Sequence, residues 1–370
     1  MNTQAFLPFI IFGIILFLYI QIIHHYTRSE DLEIYEMDYI NNAQLQDVCN
    51  MKQPVIFNYT NMYPEFIENI SIPNITHHCN QNEIKIKDIN DYWNPPMTNN
   101  SQYYEPVDYF MLPFTSSHSF MKSDAKSLYF SEHNSEFIEE TGLDKHFQEF
   151  HSFLKPSHFI IHTKYDICIG SIHTATPLRY HTDYRKFLIL SHGKIHVKMT
   201  HFKSSKYLKL IKDYDNYEYR SPINVWKPQE EHLQNISKIK FIEFDVFAGQ
   251  ILYIPPYWWY SIRFSNDPNT VVSYISYNSI MNIVANTPEI GRYLLQQQNI
   301  QKTPVKKRIP SSTNTSISDN STPNDIASSS SPNNPIETLI QNIAETSNPN
   351  QIITNAGVYS NQLKNVNVNI

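Results

Sequence analysis

The sequence predicts a mainly β domain with flanking helices behind an N-terminal membrane helix, and three observations carry that reading. Between Phe159 and Tyr277 short strand-like runs follow one another: Phe159–His162, Tyr165–Ser171, Phe187–Ser191, Lys194–Met199, Phe241–Phe244, Gln250–Ile254, Tyr260–Phe264 and Thr270–Tyr277. Many short strands broken by Gly, Pro and Asn-Asp predict a sandwich or barrel. Phe6 to Ile23 is apolar apart from Gln21, and after Asn299 the chain turns to Ser, Thr, Asn and Pro with few large apolar residues.

These shifts predict an anchor over residues 1–28, a folded domain over 29–298 and a disordered tail over 299–370. Eighteen helical residues reach about 27 Å, enough for a thin bilayer core. No Lys or Arg precedes the run, and His24, His25 and Tyr26 follow it in place of a small-residue cleavage site. A single-pass anchor is therefore expected, ahead of a cleaved signal peptide or a buried core helix. Arg28 is the nearest strong positive charge, so counting Lys and Arg leans the body toward the cytoplasmic side. The tail cannot bury enough apolar surface to order itself.

Within the domain, Asp38–Ile40 and Pro54–Phe57 read as strands and Ala43–Cys49 as a helix. Asn134–Leu154 reads as a helix broken at Gly142, and Asn278–Gln298 as a closing helix. Residues 201–240 form a long insertion carrying Tyr207, Tyr214, Tyr217, Tyr219 and Trp226, expected to be a lid or contact surface.

Composition excludes several functions. A net charge of -6 supplies no basic field, so no nucleic-acid partner is expected. Seven glycines and no G-x-x-x-x-G-K-[ST] or G-x-G-x-x-G run argue against a phosphate loop. Cys49, Cys79 and Cys168 are too scattered for a disulfide framework.

Two stretches carry the chemistry. One runs Thr176-Pro177-Leu178-Arg179-Tyr180-His181-Thr182-Asp183 and continues through Gly193-Lys194-Ile195-His196-Val197-Lys198-Met199; the other is Gly249 to Phe264 with Pro255-Pro256-Tyr257-Trp258-Trp259-Tyr260 at its centre, read as a hairpin. Together they resemble the cupin-like, JmjC-type hydroxylases over roughly residues 38 to 290, and are similar to cupin-like proteins of large DNA viruses. The resemblance implies a double-stranded β-helix (a jelly-roll) and, in active members, iron(II) and 2-oxoglutarate. There an H-x-D/E pair and a distant histidine hold the metal, because side chains two apart on a strand point the same way.

By that resemblance His181 and Asp183 match the H-x-D pair, and Tyr260 stands where the distant histidine belongs. The sequence has no histidine beyond His232 to replace it, and a phenol with its pKa at about 10 is a poor iron(II) ligand. Aligned instead on Thr176-Pro177-Leu178, the two ligand places fall on Arg179 and His181. Both registers stay open. His181 and Asp183 read equally as a hydrogen-bond pair, and Arg179 as an anion holder or the ion-pair partner of Glu243 or Asp245. The family's 2-oxoglutarate lysine falls at Ile195, and alternation puts Lys194 on the other face unless the register slips. Thr176, Arg179, Lys194 and Trp259 complete the candidate pocket or co-substrate residues.

The expected function is that of a membrane-anchored, non-catalytic or strongly diverged relative of these hydroxylases that binds a ligand, protein or peptide and carries no cofactor. The alternatives are an active iron(II)/2-oxoglutarate protein hydroxylase with a rearranged metal site, or a structural membrane or virion protein.

Overall fold

A computed structural model describes residues 3–94, 107–156 and 159–299; the tail expected over 299–370 lies almost wholly outside them. Among the described residues, fifteen strands form two sheets. In chain order they are β1 (Tyr35–Glu36), β2 (Val55–Asn58), β3 (Glu83–Asp88), β4 (Phe110–Pro113), β5 (Tyr129–Ser131), β6 (Ile160–Gly170), β7 (Arg179–Tyr180), β8 (Arg185–His192), β9 (Lys194–Thr200), β10 (Ile211–Asp213), β11 (Glu218–Arg220), β12 (Ile242–Phe247), β13 (Gln250–Ile254), β14 (Trp259–Phe264) and β15 (Val271–Ser279). The larger sheet runs β1-β2-β13-β8-β15-β6-β5-β3-β4, the smaller β10-β11-β7-β14-β9-β12.

From β7 onward the chain repeatedly changes sheet at its corners. Gly193 turns β8 into β9, and Gly249 turns β12 into β13; both have positive φ, 78° and 87°. A Cβ on Gly193 would lie 2.1 Å from Thr270 Oγ1, so only glycine fits that corner. The Pro255-Pro256 segment is a third corner. The sequence reads as a hairpin here, yet β13 pairs with β2 and β8 while β14 pairs with β7 and β9. Two prolines lack N–H donors, and Tyr257 turns left-handed at φ 65°, so the chain swings to the opposite sheet rather than folding back on itself.

The sheets enclose an apolar core. Along β9, Ile195, Val197 and Met199 are fully buried, each contributing about 1.5–3 kcal/mol. The alternate residues face outward: Lys194 pairs with Asp245 at 2.6 Å and Lys198 with Glu243 at 2.9 Å across to β12. The apolar set fixes this register, since a one-residue slip would bury the lysines.

The entry region differs from its expected outline. A two-residue strand at Tyr35–Glu36 replaces the one expected at Asp38–Ile40, and β3, β4 and β5 widen the larger sheet unforeseen. Gly142, at φ 71°, caps the helix Ser135–Thr141 as its break predicts. The closing region splits into helices Ile280–Ala285 and Thr287–Asn299. The insertion packs Leu208, Tyr219 and Val225 against Leu178, Tyr180 and Trp259.

The helix Thr3–Tyr26 contains one stretch, Pro8–Tyr26, long and apolar enough to cross a membrane, with mean hydropathy 1.9. Its end is docked onto the domain. His25 Nε2 lies 3.1 Å from the Tyr257 hydroxyl and 3.2 Å from the amides of Asn282 and Asn286. The Lys52 ammonium donates to the His25 carbonyl, and the Arg28 guanidinium sits 3.7 Å from the Phe202 ring centroid.

Candidate ligand-binding site

A cavity of about 400 Å³ opens between the sheets at the β7 end. β7, β11 and β14 supply Arg179, Glu218 and Tyr260, while β8 and β15 supply Lys186, Tyr274, Ser276 and Asn278. The closing helices add Asn282 and Asn286, which also grip His25.

Arg179 is the electrostatic centre. Its guanidinium forks onto both Glu132 carboxylate oxygens and donates to Glu218 at 2.9 Å. Lys87 donates to the same Glu132 at 3.2 Å and to Tyr92 at 3.1 Å. Burial would push the Glu132 carboxyl up, but Arg179 and Lys87 outweigh it and hold that carboxyl well below its ordinary range. Burial likewise opposes the Arg179 charge, and Glu132 above all restores it. The partners expected from sequence, Glu243 and Asp245, sit instead on β12 at the outer face, where Lys198 and Lys194 take them. Glu132 and Glu218 come from a loop and the insertion, distant in sequence, so no local pattern marks them.

His181 follows two residues after Arg179 and is buried. Its Nε2–H donates to the Ile254 carbonyl at 3.0 Å, while its Nδ1 lies 3.6 Å from an Asp183 oxygen and has no hydrogen-bond partner. Burial lowers its pKa to about 4, against the pull of Asp183, so the ring is neutral near pH 7. Burial would raise the Asp183 carboxyl, but His181, Lys186 and the Asn278 amide hold it below its ordinary value.

The structure brings Arg179, His181, Asp183 and Tyr260 to one cavity. Tyr260 is the Cα partner of Arg179 and stacks edge-on near His181, ring centroids 6.3 Å apart. Thr176, Lys194 and Trp259 lie elsewhere. The Thr176 hydroxyl accepts from the Ile262 N–H, and Trp259 Nε1 donates to Ser205 at 2.8 Å on the side of the insertion. Strand alternation separates Trp259 from Tyr260. Alternation also contains the signal for a residue not singled out in the sequence: Lys186 shares parity on β8 with the core residues Leu188 and Leu190, so it faces inward at the cavity end.

A family model described as a cupin-like domain matches residues 61–282, more than half of the chain. The chain belongs to the cupin-like domain family. A search of curated proteins found no match.

The cupin-like domain is consistent with a relative of the 2-oxoglutarate oxygenases, which makes iron(II) the group to test against these residues. Arg179 carries five N–H donors and no lone pair, so it cannot ligate a cation. The Nε2 of His181 is committed to a backbone carbonyl, which leaves its Nδ1 and the Asp183 carboxylate, two donors where the iron centre of the family takes three. Among the described residues no group of three or more His, Cys, Asp or Glu side chains converges as a metal site would. Ile195, at the place of the family's 2-oxoglutarate lysine, is buried in the core. The donor set does not fit the iron centre that the resemblance implies.

Proposed function

We propose that this protein is a membrane-anchored cupin-like domain that works by binding a ligand rather than by iron- and 2-oxoglutarate-dependent oxidation. The observation that supports this most is Arg179. It points from β7 toward Tyr260 in the register set by Thr176-Pro177-Leu178, with its charge already matched by Glu132 and Glu218. In that register the three ligand places hold arginine, histidine and tyrosine. A cation built into the protein then stands where relatives hold a metal. The cavity beside it has a small-molecule volume, and its lining combines tyrosine rings with polar and charged groups that could orient a ligand. The docked helix supports a body held close to the membrane surface.

The test is turnover. Full-length protein in detergent is supplied with iron(II), ascorbate and 2-oxoglutarate, and succinate is followed against a no-protein control. The binding reading expects succinate at the control level. Formation above it that disappears in His181→Ala would establish the hydroxylase reading instead.

A further inference from the structure

His181 Nδ1 and the Asp183 carboxylate pose a hydrogen-bonding problem. With Nε2–H given to Ile254, the neutral ring presents a lone pair at Nδ1, and it faces a carboxylate oxygen 3.6 Å away. Two acceptors face each other and share no donor. An unpartnered buried acceptor costs about 1–3 kcal/mol, a cost that a donor placed between the two would remove. Asn278 already donates to the other Asp183 oxygen, at 3.1 Å, so it does not solve the problem.

Lys186 lines the same cavity as His181 and Asp183. Its ammonium lies over the Tyr274 ring, 5.1 Å from the centroid, and makes no ion pair among the described residues. Arg179, by contrast, already has its charge met by two carboxylates, although its Nε is left without a partner. Lys186 is thus a cavity-lining cation with no carboxylate paired to it among the described residues; Lys164 lines the cavity too, but is exposed. The Tyr274 hydroxyl beside it is buried without a partner.

We propose that the cavity binds a small hydroxy- or amino-carboxylate, which bridges His181 Nδ1 and Asp183 through two N–H bonds of its amine, or through one O–H hydrogen shared between both acceptors, while its carboxylate meets Lys186. This rests on the binding reading above and names its ligand class. A 2-oxo acid lacks the bridging donor, and a simple amine or alcohol lacks the anion. The cavity volume suits a molecule of that size.

Calorimetric titration of the full-length protein in detergent tests the proposal, with glycolate, L-lactate, L-serine, acetate, ethanolamine and 2-oxoglutarate as probes. At least one of the first three should bind tenfold or more tighter than each of the last three. Asp183→Asn is the informative variant, because the new amide can itself donate to Nδ1. Binding should fall at least tenfold while the melting temperature holds or rises. Lys186→Met should abolish the preference for the best of the first three over ethanolamine. Acetate binding as tightly as the best of the first three, unchanged affinity in Asp183→Asn, or no binding of any probe at millimolar concentration would overturn the proposal. Those failures leave the non-catalytic reading standing, whereas iron-dependent succinate formation would remove that reading on its own.

Discussion

Arg179 and Tyr260 are Cα partners across the antiparallel pair β7–β14, with the guanidinium carbon 5.9 Å from the phenol ring centroid. The same pair of places, in the register of Thr176-Pro177-Leu178, would hold two histidines in an iron-binding relative. The guanidinium depends in turn on Glu132, which joins it to Lys87.

That dependence makes Glu132 the structural keystone of the site. Removing one member of a buried ion cluster strands the others, at a cost of about 3–5 kcal/mol. Glu132→Ala should therefore lower unfolding free energy by about that much in urea denaturation. The paired change Glu132→Leu with Arg179→Met should cost less than the sum of its single changes, since each single change strands the other member of that pair, while Lys87 and Glu218 lose a partner either way.

The pH response follows from His181. Its ordinary pKa of 6.5 is lowered to about 4 in the folded chain by burial. Below pH 6.5 the unfolded chain takes up a proton that the folded chain refuses until about pH 4. The contribution to stability is complete above 6.5, declines as pH falls, and is exhausted below about 4, a change of about 3 kcal/mol. Asp183, also lowered, adds a loss of the same sign at lower pH. Denaturation midpoints of wild type and His181→Phe, compared from pH 7 to 4, should show a shallower decline in the variant.

Gly193 offers a purely steric test. Alanine there would need a left-handed φ and would bring Cβ to 2.1 Å from Thr270 Oγ1. Gly193→Ala should destabilise by about 2 kcal/mol or more in thermal melts, while Gly142→Ala, which meets nothing within 4 Å, should lose less.

The docking of the N-terminal helix should be visible in exchange. His25→Ala removes the ring that meets Tyr257, Asn282 and Asn286. Amide hydrogen exchange should then speed up in the helix Ile280–Ala285, with little change in β9.

Much of the barrel is legible in the sequence, because alternation and corner residues are local signals. Ile195, Val197 and Met199 declare their face, and Gly193 and Gly249 mark the corners. The wider sheet is not legible. β3, β4 and β5 are short segments that gain their identity only by pairing with one another and with β6. The site is half legible. His181, Asp183, Arg179 and Tyr260 come from motif-bearing segments. Glu132 and Glu218 reach Arg179 only through the folded topology, as one side of an ion pair carries no sequence trace of its partner. The Pro255-Pro256 corner misleads for a related reason: a turn between two strand-like runs reads as a hairpin until pairing partners are known.

The most direct measurement is metal stoichiometry. Full-length protein is loaded anaerobically with iron(II), desalted and analysed for bound metal by mass spectrometry, beside His181→Ala. The account predicts far less than one iron per chain and no difference between the two proteins. One iron per chain in the wild type, lost in the variant, would contradict it.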